Sequence, residues 1–119
     1  MNKFRFLEWK VYKDAQGLFL VIVEILKRLS REQRYELGSQ VSRSSLSVVL
    51  NIAEGSGKTS DKEMNRYFEI SLGSLYETLA AIDTLKQMKV VSESEWSIVY
   101  EKVEEIARQL GGFKKKLNK

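Results

Sequence analysis

The chain has 119 residues, 43% hydrophobic and 30% charged, which suits one domain burying about two-thirds of its unfolded surface. It contains no Cys, His or Pro, which excludes disulfides, thiolate metal sites, Ser-His triads and the commonest general base near neutral pH. Those absences argue against an enzyme, with no cofactor or metal expected, while twenty Lys and Arg against sixteen Asp and Glu leave a mildly basic net charge of +4.

The first helix is predicted over about 5–29, where Leu7, Val11, Leu18, Ile22, Ile25 and Leu29 recur on one face. Its longest apolar run, Leu18 to Val23, is six residues, far short of the roughly 18 a membrane span needs. Met1 to Lys10 lacks the apolar continuation of a signal peptide, so the cytoplasm is the expected compartment. A second helix is predicted over about 34–54, with Leu37, Val41, Ser45, Val48 and Ile52 on one face. Gly55 then stands where helices often end in a left-handed cap.

Ser60 and Glu63 form a capping box opening a third helix over 61–89, striped by Met64, Phe68, Ser71, Leu75, Leu79 and Ile82. A second box, Ser92 with Glu95, opens a fourth over 93–116 through Trp96, Val99, Val103, Ile106 and Leu110. Gly111-Gly112 is expected to weaken or kink it. No segment alternates with period two. The fold class is therefore all-α, an antiparallel up-and-down four-helix bundle with short joints.

Two stretches are more apolar than a lone bundle needs: eight of nine residues in Leu18–Leu26 and six of eight in Leu46–Ala53. Surplus apolar surface on the first two helices predicts self-association.

Gly55-Ser56-Gly57-Lys58-Thr59-Ser60 superficially resembles a phosphate-binding loop, yet Ile52 stands where that motif needs its first Gly, and a helix precedes it. The segment reads as a helix-helix joint, with a weaker anion site left open at the next helix start beside Lys58 and Lys62. Glu101, Glu104 and Glu105 cluster, but without His they read as a solvated face rather than a metal cage. Asn51 and Glu54, three apart, form either a partly buried hydrogen-bonded pair fixing the joint or a recognition site. Gly73 inside the third helix predicts close approach of a neighbouring helix. Trp9, Tyr12, Phe19, Tyr67, Phe68 and Trp96 read as core or interface.

An up-and-down bundle gathers the chain start, the glycine joint and the C-terminal end at one pole. The basic residues there are Lys3, Arg5, Lys10, Lys13, Lys58, Lys62, Arg66, Arg108, Lys114, Lys115, Lys116 and Lys119. Against Glu8, Asp14, Glu54, Asp61 and Glu63 they predict a pole of +7, with −3 for the rest of the chain. Lys10, Lys13, Lys58, Lys62, Arg66, Lys114, Lys115 and Lys116 are the candidate contacts to RNA or DNA phosphates. The competing expectation is a protein scaffold, docked through the surplus apolar surface or the acidic stretch from Glu93 to Glu105.

Asn51-Ile52-Ala53-Glu54-Gly55-Ser56-Gly57-Lys58 resembles the corresponding core of the 23S rRNA intervening-sequence proteins, a four-helix bundle family. Tyr35, Leu37, Gln40, Arg43 and Ser47 upstream, and Ser60, Lys62, Glu63, Phe68, Ile70, Gly73, Ser74, Leu75 and Glu77 downstream, extend the resemblance. Val49 and Ser30 stand where that family usually has Pro. The resemblance implies a bacterial protein assembling as a homopentameric barrel without catalytic activity. It also implies kinship with the basic accessory proteins of diversity-generating retroelements, which bind nucleic acid and a reverse transcriptase. A nucleic-acid-processing enzyme is thus an implied partner.

Overall fold

In the computed structural model, which describes residues 3–117, Arg5–Glu8 forms one 3-10 turn and Trp9 then adopts an extended backbone. Helix α1 begins only at Lys10 and runs Lys10–Leu26, shorter than the expected 5–29. The break has a packing cause. It places the Trp9 indole 5.1 Å from the Phe113 ring and 6.2 Å from the Phe68 ring, tying the chain start to the bundle. Leu29 is still buried beyond the helix end.

Helix α2 starts earlier than expected. Ser30 and Gln33 make a reciprocal capping box, and helical backbone follows without a gap through Arg31–Gln33, a π-helical stretch Arg34–Gly38, and Ser39–Ser56. The wider turn carries Arg34 back toward α1, where its guanidinium donates to the carbonyls of Lys27 (2.9 Å) and Leu29 (3.3 Å). Those carbonyls lie past the last turn of α1 and lack helical partners, so Arg34 satisfies them.

Gly55 is not a left-handed cap. It lies inside α2, Gly57 is the C-cap at φ −89°, and no described glycine has positive φ. A Cβ at Gly55 would stand 2.9 Å from Tyr67 Cβ and 3.0 Å from Phe68 Cε1, so its role is close approach of the next helix. That role was expected at Gly73, where a Cβ would meet nothing within 4 Å.

Helix α3 spans Asp61–Gln87, its first turn capped by Ser60 Oγ accepting from the Glu63 amide at 3.1 Å. The reciprocal half of the expected box does not form; the Glu63 carboxylate pairs with Arg66 instead. Lys89, at φ 66°, turns the chain. The Ser92–Glu95 box is complete, with bonds of 2.9 and 3.2 Å. Helix α4 runs Glu93–Leu117 without interruption through Gly111-Gly112. Leu110 is fully buried on one side of the pair and Phe113 packs on the other, and this anchoring outweighs about 1 kcal/mol of helix propensity lost per glycine.

Among the described residues there are four helices and no strand. α1 packs on α2 and α4, and α3 packs on α2 and α4, giving a four-cornered bundle of 44 × 23 × 22 Å. The long axis matches helices of about 40 Å at 1.5 Å per residue. Val11, Leu18, Ile22, Val48, Ile52, Phe68, Leu75, Ile82, Val99 and Ile106 fill its centre. Between α2 and α3 the seam is built from hydroxyls: Ser44 with Thr78 (2.9 Å), Ser47 with Ser74 (2.8 Å), and Ser71 donating to the Val48 carbonyl (2.8 Å). Small side chains let these helices approach closely, and each buried hydroxyl finds a partner there, as burial requires.

Candidate nucleic-acid interface

The bundle brings together the three segments expected at one pole. Phe68 near the start of α3 lies 5.1 Å from Phe113 near the end of α4, with Trp9 against both. Arg5 Nη2 donates to the Ser56 carbonyl at 3.1 Å, pinning the N-terminal segment to the end of α2. Lys119 lies outside the described residues.

The charges at this pole are partly neutralised, which the sequence tally missed. Lys10 Nζ donates to Asp14 at 2.6 Å and to Glu105 at 3.2 Å, and Arg108 also pairs with Glu105. Lys114 reaches Glu69 on α3 at 3.2 Å, and Arg66 sits 3.6 Å from Glu63. Glu69 and Glu105 therefore belong to the pole, and its positive excess is smaller than expected. Helix spacing hides this: Glu69 and Lys114 are 45 positions apart in sequence and meet only because α3 and α4 pack side by side.

Among the eight candidate contacts, Lys13, Lys58, Lys62, Lys115 and Lys116 take part in no ion pair among the described residues. Lys58 Nζ stands 4.9 Å from the centre of the Tyr67 ring, and the Arg66 guanidinium 5.7 Å from it. That aromatic face holds two cations beside the first turn of α3, where free amides and the helix dipole add positive potential.

Asn51 and Glu54 do not pair with each other. The Asn51 amide donates to the Ser47 carbonyl (2.9 Å) and hydroxyl (3.0 Å), extending the hydroxyl seam, while Glu54 faces solvent. Of the expected acidic face, Glu101 and Glu104 are exposed, but Glu105 is half-buried and held by Lys10 and Arg108.

These pairings shift proton affinities. Bonds to Asp14 and Glu105 raise the Lys10 ammonium above its usual value, and bonds from Arg108 and then Lys10 lower the Glu105 carboxyl. Burial alone would raise Asp14, but bonds from Lys10 and Gln109 together leave it lowered. Depressed carboxyls stabilise the fold above their unfolded pKa values, and that stability is lost as pH falls through the folded values. Urea midpoints should therefore fall with acidification below about pH 4.5, where carboxylates of ordinary affinity begin to protonate. Asp14→Asn should flatten that fall; a variant with the parent's acid profile would refute the assignment.

The profile of the 23S rRNA-intervening sequence protein family matches residues 8–112. The chain belongs to that family. The match runs from just before Trp9 to Gly112, taking in α1, α2 and α3 whole and most of α4. A search of curated proteins returned no match. Among the described residues no helix is long and apolar enough to cross a membrane.

Proposed function

We propose that this family member works without chemistry of its own, as a self-associating cytoplasmic bundle that holds RNA or DNA by phosphates at its basic pole. One observation carries the reading: Lys13, Lys58, Lys62, Lys115 and Lys116 share that pole and are not spent on ion pairs among the described residues. Such a footprint attracts phosphate backbones without reading sequence. Lys10, Lys114 and Arg66 support it less, since each already faces a carboxylate.

Self-association is supported by two apolar surfaces on opposite sides of the bundle. Leu20 on α1 and Leu46 and Leu50 on α2 are exposed. Across the molecule, a groove of about 450 Å³ between α3 and α4 is lined by Tyr76, Ala80, Trp96 and Tyr100. Unlike surfaces on opposite sides join head to tail, and a closed ring points every basic pole the same way. A pentamer is the number the family resemblance implies. The same groove, rimmed by Asp83 and Glu104, favours a second reading in which a basic protein segment, such as part of a nucleic-acid-processing enzyme, docks there.

Fluorescence anisotropy with labelled RNA and DNA tests the phosphate reading. Affinity should fall about a hundred- to thousandfold as salt rises from roughly 50 to roughly 200 mM. Replacing Lys58, Lys62, Lys115 and Lys116 with Gln should lower the salt slope by about one per lysine in contact. Absent binding at low salt, or an unchanged slope, would overturn it. Light scattering on a size-exclusion column should give a multiple of 13.8 kDa; a single-chain mass would remove the ring.

A further inference from the structure

We infer that the nucleic acid accepted at this pole is single-stranded, with an unstacked base lodged beside Phe4. The inference rests on the phosphate reading above and goes past it to the form of the strand. A cleft of about 670 Å³ opens where the N-terminal segment crosses the end of α2, ample for a purine base. Phe4 and Leu50 are among its walls and stay 58% and 55% exposed, so the cleft offers an aromatic ring and an aliphatic side chain to whatever enters.

Cations stand at the same cleft: Lys3 and Arg5 on the segment, Lys58 on the joint. Two of them are positioned in advance. Arg5 is bonded to the Ser56 carbonyl and lies over the Trp9 ring at 5.4 Å, and Lys58 lies over Tyr67. Because Arg5 is tied down, the neighbouring Phe4 is presented on a fixed support, which lowers the ordering loss on binding. Glu54 also lines the cleft. A carboxylate repels phosphate but accepts hydrogen bonds from base N–H groups, the exocyclic amines of adenine, guanine and cytosine or the ring N3–H of uracil and thymine, so the base enters and the phosphates fall to the lysines. A duplex keeps its bases stacked inside and offers this cleft only phosphate. A single strand offers both groups, and aromatic stacking tolerates any base.

The test compares fluorescein-labelled single-stranded RNA, single-stranded DNA and a blunt duplex, all of one length, against the intact protein by anisotropy. Both single strands should bind more tightly than the duplex. Phe4→Ala should weaken single-strand binding about tenfold, the scale of one lost stacking partner, and leave duplex binding unchanged. Lys58→Gln should weaken both. A 5-iodouracil-bearing strand irradiated on the parent protein should crosslink at Phe4, a readout independent of whether the variant folds. Equal binding of duplex and single strands, or crosslinks only elsewhere, overturns this inference while leaving the phosphate reading standing. No binding by any probe overturns both.

Discussion

Replacing Phe68 with alanine should lower stability by about 3–5 kcal/mol, the range for deleting a fully buried aromatic ring. Phe68 has no exposed surface. Its ring contacts Trp9 ahead of α1 and Phe113 of α4, and lies where a side chain on Gly55 of α2 would otherwise reach. The ring thus joins the chain start and the end of α4 while packed against the end of α2. Thermal unfolding at one fixed protein concentration should show the midpoint down by about 10–20 °C. A loss under about 1 kcal/mol would mean that the basic pole is not organised around this ring, and the three segments would then owe their proximity to something else.

The second large effect has an opposite-signed control. Gly55→Ala should destabilise by about 1–3 kcal/mol, the usual penalty for overfilling a packed contact, less up to about 1 kcal/mol gained in helix propensity. The obstructing atom nearest the new methyl is Tyr67 Cβ at 2.9 Å. That atom is fixed to the backbone of α3, so no side-chain rotation relieves the contact and the helices must part. Gly73→Ala should instead stabilise by about 0.5–1 kcal/mol, because its surroundings are open. Both glycines are helical, so propensity alone predicts the same sign for both. Urea titration of the two variants decides it: stabilisation by both would show that α2 and α3 do not need Gly55 to meet.

Local features of the chain were legible because their physics is local. The Ser92–Glu95 box, the stripe from Met64 to Ile82 and the absence of period-two alternation all act within a few residues. They define four helices and most of their boundaries. The missed start of α2 was also local: Ser30 followed by Gln33 is a capping box one turn earlier than the apolar stripe suggested. By contrast, Gly55 and Gly73 look alike along the chain, each a helical glycine beside serine, and only the neighbouring helix tells them apart.

The candidate site divides the same way. Composition and helix count were enough to place Lys58, Lys62 and the Lys114–Lys116 run at one pole of an all-α bundle. Which of those cations keep their charge unpaired was decided by tertiary structure, because Lys10 meets Glu105 and Lys114 meets Glu69 across helix boundaries. The cleft beside Phe4 has the same origin, made where a segment tied by Arg5 crosses a helix about 50 positions later. Helix formation and capping are interactions between near neighbours and are written in order along the chain. Charge pairing, close approach and clefts depend on which faces meet, and that is settled only when the whole apolar surface finds its lowest-energy packing.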